Sequence, residues 1–302
     1  ALAELGDDER RALTSPAGPI VLMKCRGDSP AAASVHPGLA EIGVMLPTTP
    51  LHWLLSRAAR RPLVVTSGNR EGHPLAVDVE EAERDLAGIA DLWLHHDRPI
   101  RRPIDDSVVR VIAGRPVTIR CARGLAPLPL PLEISRPLLA VGGQQKGAVA
   151  FGNTRQCVLG PHVGDLAGTA MQERFVGHVG QTCKLYGEAP VSLVHDLHPA
   201  YFSTQWARGR SNSCLAVQHH HAHVAAVMAE QGWLDREVIG VAFDGTGFGT
   251  DGTIWGGEFL LATAGRFRRV ARLRPFRLPG GEAAIREPWR VALALVADAC
   301  GI

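Results

Sequence analysis

Between Arg123 and Pro137 the chain carries Pro127, Pro129, Pro131 and Pro137. Proline fixes φ and removes a backbone donor, so at this density the segment is neither a helix nor a central strand. It reads as a stiff, extended linker. It places a domain boundary, giving a first domain over residues 1–133 and a second over 134–302. Hydrophobic residues make up 46% and charged residues 21%, the balance of an ordinary soluble globular protein. A net charge of +2 argues for neither a nucleic-acid partner nor a membrane surface. No signal peptide and no apolar run of membrane length stands out, so a cytoplasmic location is expected. Cys25, Cys121, Cys157, Cys183, Cys214 and Cys300 are scattered without a C-x-x-C pair. That speaks against a thiolate zinc module or a disulfide scaffold and fits a reducing cytosol. The chain opens inside one helical pattern and stops inside another that began near Pro288, so it is expected to be a piece of something longer.

The first domain mixes helices and strands, which implies an α/β or α+β fold. Helices are expected over 7–13, 51–58 and 80–86. Strands are expected over 19–23, 42–46, 63–66 and 92–94, with a hairpin of 108–112 and 117–120 around Gly114. The apolar run Leu63-Val64-Val65-Thr66 would deliver Ser67, Gly68 and Asn69 to a turn at a strand end. A hydroxyl and an amide there can hold a nucleotide or acyl-phosphate oxygen, although such turns usually only turn. Lys24 and Arg26, at the end of the 19–23 strand, are candidates for phosphate contact.

In the second domain, strands are expected over 138–141, 148–151, 156–159 and 191–194, with an amphipathic helix over about 169–185. Strand, glycine turn, strand, strand, helix is the opening order of one half of an actin-like ATPase. Val217-Gln218-His219-His220-His221-Ala222-His223 then packs four histidines into five residues ahead of a helical run. At about 100° per residue, Val217, Val224, Val227 and Met228 fall on one side, and His219 and His223 fall together on the other. Spaced i, i+4, two imidazoles can converge on one ion. His220 and His221 flank the apolar stripe as packing or supporting residues. The strand 238–243 ends at Asp244, and Gly245, Gly247 and Gly249 follow in a turn that lets backbone approach a ligand. His219, His223 and Asp244 make a His₂-carboxylate set with open positions, which suits Zn²⁺ or Fe²⁺. His195 and His198 are weaker candidates for further ligands.

Several long stretches resemble one family. VQHHHAH, VAFDGTGFGTDGTIWGGEFL and REPWRVALAL resemble the hydrogenase-maturation carbamoyltransferases of the HypF family. TSGNREGHP resembles the motif of the YrdC-like fold, which forms carbamoyl adenylate. HDRPIRRPIDDSVVR resembles the HypF segment that follows, with Asp105, Asp106, Ser107 and Arg110 matching. LAVGGQQKGAVAF, HVGDL and DLHP also match, and GVMLPTTPLH does so except that Thr48 stands where the family has an aromatic residue.

The resemblance implies an α/β architecture: a YrdC-like domain, then the first half of an actin-like ATPase domain. It implies that Ser107 and Arg110 face an adenylate, that Lys146 meets phosphate, and that a further metal-ligand aspartate lies beyond Ile302. It implies an ATP-dependent carbamoyltransferase, with Mg²⁺ accompanying ATP. In the scheme that the resemblance implies, carbamoyl phosphate would be hydrolysed to carbamate in a domain ahead of this stretch. Carbamate would then be joined to AMP, and the carbamoyl group would pass to the C-terminal cysteine of the partner HypE. Enzymes of threonylcarbamoyl transfer and antibiotic O-carbamoyltransferases share both modules, although DGTGFGTDGTIWGGE and DLHP favour HypF over the threonylcarbamoyl-transfer enzymes. A binding piece without turnover stays open as a different class.

Overall fold

The computed structural model describes every residue except Ala1, Glu71, Glu282 and Ile302. The chain divides into two compact units. One is Ala1–Val194 with Gln205–Cys214, and the other is His195–Thr204 with Leu215–Ile302.

The first unit opens with α1 (Asp7–Leu13), which has acidic residues in its first turn and arginines in its last, the order that the helix dipole favours. Strands β1 (Ile20–Lys24), β2 (Glu41–Val44), β3 (Val108–Ile112) and β4 (Arg115–Arg120) form a sheet in the order β2-β1-β3-β4. β1 and β3 run parallel, and the two outer pairs run antiparallel. Leu13 packs with Val21, Met23 and Val109 in a core on one face of this sheet. Between β2 and β3 lie α2 (Pro50–Ala59), capped by the Thr49 hydroxyl, and α3 (Val79–Asp85), capped by the Asp78 carboxylate.

The second sheet contains β5 (Leu128–Leu130), β6 (Leu138–Ala140), β7 (Gly147–Gly152), β8 (Cys157–Gly164), β9 (Ser192–Asp196) and β10 (Cys214–Val217) in the order β10-β9-β6-β7-β8-β5. The proline-rich segment is not a free, uniformly extended linker: it turns at Gly124 and Leu125, and Leu128–Leu130 then pairs with β8 at the sheet edge, where Pro129 removes no interior ladder bond. β6, β7 and β8 form an antiparallel meander, while β9 joins β6 in parallel. A parallel neighbour needs a crossover, and α4 (Thr169–Tyr186) supplies it. It buries Met171, Phe175 and Val179 and ends on Gly187 in the left-handed region at φ 68°. α5 (Phe202–Arg208) connects β9 to β10.

In the second unit, α6 (His219–Glu230) packs on an antiparallel sheet of β11 (Val238–Phe248), β12 (Ile254–Ala262) and β13 (Phe267–Arg272). Val224 and Met228 meet Trp255, Leu260 and Ala262. The helix lies so close to β11 that a β-carbon on Gly240 would overlap Val224. Glu258 is wholly buried in this sheet, paired with Arg269 at 2.5 and 2.6 Å. α7 (Ala283–Arg286) and α8 (Trp289–Cys300) follow.

Four expectations need correction. Leu63–Thr66 is not a buried strand: Val64 is 78% exposed, and none of these residues joins a sheet. Leu92–Leu94 is likewise unpaired, with Leu92 91% exposed. A short apolar run shows that burial would be favourable, but a strand also needs a partner edge, and the first sheet closes with only four strands. Val227 is exposed, and its expected place in the core is taken by His220 and His221 on the same side as Val224. Finally, β11 does not stop at Asp244 but continues to Phe248 through an irregularity.

Candidate metal centre

Asp244 owes its position to that irregularity. Phe243 pairs with Gly257, and Gly247 pairs with Trp255. Asp244, Gly245 and Thr246 thus stand opposite the single residue Gly256, an enlarged bulge that takes the carboxylate out of the ladder. The helix supplies the other side. Gln218 is the N-cap of α6, its Oε1 accepting from the His221 N–H at 2.9 Å. Its Nε2 donates to the Phe248 carbonyl at 3.2 Å and to His220 Nδ1 at 3.1 Å. One buried amide therefore ties the first turn of α6 to the far side of the bulge.

His219 Nε2 lies 2.8 Å from Asp244 Oδ2, and His223 Nε2 lies 3.5 Å from the same oxygen. One donor atom from each of the three side chains falls within 4.8 Å of the others. Two ligand atoms bound to a tetrahedral zinc at ~2.0–2.1 Å stand about 3.3 Å apart, so the spacing fits a single ion. The donor set fits too: two imidazole nitrogens and a carboxylate oxygen, with the cluster partly open to solvent. Hydrogen bonds donated to the Asp196 and then the Asp244 carboxylate raise the pKa of His219 to about 9, and the two histidines hold Asp244 well below the usual carboxylate range. Opposite charges concentrated at one point in this way are what an ion can replace.

The neighbouring histidines do other work. His220 is fully buried, and burial lowers its pKa. His221 Nε2 meets the Thr263 carbonyl at 2.8 Å, and its ring packs against Phe267. His195 is buried with Nδ1 2.6 Å from the Asp196 carbonyl, and His198 stacks on Tyr201 at 4.1 Å. Neither belongs to the cluster of donor atoms. The residue that sequence reasoning missed is Asp196, whose Oδ2 lies 2.7 Å from His219 Nδ1. The DLHP stretch carries it, between His195 and His198.

The glycines of the bulge differ in what they allow. Gly245 has open space where a β-carbon would project. Gly247 is filled against His220 and His219, and Gly249 against Trp255 and Asp251. Packing therefore requires glycine at the last two, and only Gly245 leaves room for a ligand. Asp251 accepts from Thr253 and from Trp255 Nε1, which together with Arg269 lowers its pKa to about 2.

The adenylate candidates are engaged locally. Lys24 pairs with Glu4 at 2.8 Å, and Arg26 pairs with Asp28 at 2.8 Å. Arg110 pairs with Glu41. Ser107 is fully buried, and its hydroxyl accepts the Ala122 N–H at 2.9 Å, a structural contact rather than a free one. Asn69 Nδ2 donates to the carbonyls of Arg70 and His73, closing its own turn. Ser67 is exposed. No hydrogen bond or ion pair among the described residues joins Ser67 or Asn69 to Lys24, Arg26, Ser107 or Arg110. Lys146 is exposed in the β6–β7 turn at φ 48°, its backbone N–H held by Asp165.

Family models match three consecutive stretches. A model of the Sua5–YciO–YrdC family, described as telomere recombination, covers residues 2–122. The HypF Kae1-like domain covers 133–230, and the second subdomain of the carbamoyltransferase Kae1-like domain covers 240–302. Carbamoyltransferase HypF of Synechocystis sp. is 46% identical over 286 residues, spanning 94% of this chain. The chain belongs to the HypF family. Carbamoyltransferase HypF of Rhodobacter capsulatus is 44% identical over 96% of the chain. The chain spans 37% and 40% of the lengths of these two HypF relatives. A crystal structure of full-length HypF in the phosphate- and nucleotide-bound form superposes with a TM-score of 0.93 at 40% identity, over 98% of this chain and 47% of that one. HypF of T. kodakarensis gives 0.91 at 34% identity, over 99% and 40%. The HypF fold class is therefore α/β, a YrdC-like domain followed by a Kae1-like, actin-like one.

Proposed function

We propose that this chain supplies the adenylate-forming module and a metal-bearing wall of an ATP-dependent carbamoyltransferase acting in hydrogenase maturation. The observation that carries the reading is the convergence of His219, His223 and Asp244 on one point, where the bulge of β11 faces α6. The YrdC-like family match over residues 2–122 supports adenylate chemistry in the same chain. In this reading carbamate, released from carbamoyl phosphate elsewhere in the longer protein, attacks ATP to give carbamoyl adenylate and pyrophosphate. The carbamoyl group then passes to the terminal cysteine thiolate of HypE, and AMP leaves.

His219, His223 and Asp244 would hold the divalent ion, Zn²⁺ or Fe²⁺. When bound, it supplies Lewis-acid polarisation and charge neutralisation for acyl transfer. Gly245 leaves the adjoining backbone open to a ligand, and the buried Gln218 network holds both walls in register. On the adenylate side, the exposed Ser67 with Asn69, Lys24, Arg26 and Arg110 are the groups that could reach phosphate or ribose. Lys24, Arg26 and Arg110 would have to exchange their present carboxylate partners for the ligand, whereas the exposed Lys146 side chain is the group that would serve phosphate in the second module.

Elemental analysis tests the centre. His219→Ala and His223→Ala should each remove most of the bound zinc or iron, while His221→Ala should retain it. Equal loss in all three variants would detach the ion from these ligands.

A further inference from the structure

Asp196 lies at the end of β9, 23 residues before His219, yet its Oδ2 is 2.7 Å from His219 Nδ1. Its side chain is 8% exposed. It is itself held from several directions. Oδ1 accepts the His198 N–H at 2.8 Å, and its carbonyl accepts the Thr204 hydroxyl at 3.0 Å and contacts His195 Nδ1 at 2.6 Å. Thr204 is fully buried, so this clamp belongs to the packed interior. A carboxylate fixed in this way accepts the Nδ1 proton of His219 and turns Nε2 toward Asp244 and His223, so that an ion held there would displace only the Nε2 proton.

We propose that Asp196 is the positioning residue of the metal centre: its carboxylate fixes the ring orientation and tautomer of His219, so that Nε2 is presented to the ion. The inference rests on the metal reading above and adds a residue outside the ligand set. Partners of this kind orient a ligating histidine and increase its electron donation to the ion, and their loss typically lowers metal affinity about 10–100-fold. A purely structural role would make Asp196 a fixture of the β9 end, important for folding but not for the ion.

The test uses the 302-residue chain and its Asp196→Asn and Asp196→Ala variants. Zinc and cobalt affinities are measured by chelator competition at one fixed pH, alongside thermal unfolding of the metal-free protein. Nitrogen-15 spectra of the zinc-loaded imidazoles report the tautomer. Asp196→Asn is nearly isosteric and keeps an acceptor oxygen, so it should fold, retain the Nδ1–H signal at a shifted position and lose affinity moderately. Asp196→Ala should lose affinity about 10–100-fold, lose the protected Nδ1–H signal and change the visible spectrum of the cobalt form. If both variants match the wild-type affinity and spectra, this inference fails while the metal reading stands. If the wild-type chain binds neither ion, the metal reading fails and takes this one with it.

Discussion

A β-carbon on Gly247 would stand 2.7 Å from Nδ1 of His220, a separation that side chains do not tolerate. The same carbon would lie 3.0 Å from Cβ of His219. Gly247→Ala should therefore push the first turn of α6 away from the bulge. Overpacking of this kind costs about 1–3 kcal/mol. We expect that loss in urea denaturation, together with weaker metal retention on dialysis against a chelator. Wild-type stability and metal retention would show that the first turn is more yielding than it looks.

Arg269 and Glu258 offer a cleaner energetic test. Glu258 is 1% exposed, and Arg269 both pairs with it and lies over the Trp255 ring at 4.1 Å. Arg269→Met strands a buried carboxylate and should cost roughly 3–5 kcal/mol. The double replacement Arg269→Met with Glu258→Leu should recover most of that loss. Equal destabilisation by the single and double changes would mean that packing, not charge, dominates at this point.

Stability should fall in mild acid. Burial lowers the pKa of His178, reinforced by Arg174 and Arg102, and burial lowers that of His162, reinforced chiefly by Arg120. Both fall below 6.5 in the folded chain, so below that pH the unfolded chain binds more protons. Their penalty is absent above pH 6.5 and grows as pH drops through the depressed folded values. His178→Phe should flatten the decline in melting temperature between pH 6.5 and 5. A decline as steep as in the wild-type protein would assign the effect to other groups.

The open groove between α6 and β11 is apolar, with Val227, Ile239, Val241 and Phe243 exposed along it. β11 is also an edge strand of its sheet, and Phe243 is 74% exposed. Exposed apolar edges associate, and lysine on an edge prevents it. The isolated chain should sediment as a concentration-dependent mixture, and Ile239→Lys with Phe243→Lys should shift it toward monomer. Unchanged sedimentation would place the contact elsewhere.

Asn69 carries two roles that can be separated. Its amide closes the turn by bonding to the Arg70 and His73 carbonyls. In the full-length family protein, Asn69→Ala should lower carbamate-dependent exchange of pyrophosphate into ATP about ten- to hundredfold, the effect of one lost polar contact of roughly 1–3 kcal/mol. A drop in melting temperature with normal exchange would leave Asn69 as a turn residue only.

The convergence of His219, His223 and Asp244 was legible in part because helix periodicity is local: His219 and His223 share a face wherever the helix sits. Asp244 was legible through the glycines around it, although the bulge that aims it depends on pairing with β12, which no local pattern encodes. Asp196 was not found, since its partner lies across a contact between β9 and α6 rather than at a regular spacing. The strands at 63–66 and 92–94 failed for the related reason that an apolar run does not specify its neighbour. Ser107 matched a family motif, but its buried bond to Ala122 depends on how β3 meets residue 122, and the sequence does not show that.

The unit that contains the cluster is not one continuous piece of sequence. The chain enters it at His195, leaves after Thr204 and returns at Leu215. Asp196 belongs to the early visit, and His219, His223 and Asp244 belong to the late one. During synthesis Asp196 therefore emerges from the ribosome before any of the three donors it would serve. It must stay unpaired, or settle for a temporary partner, until α6 arrives. Deleting everything before Leu215 would preserve every donor while removing the group that orients one of them.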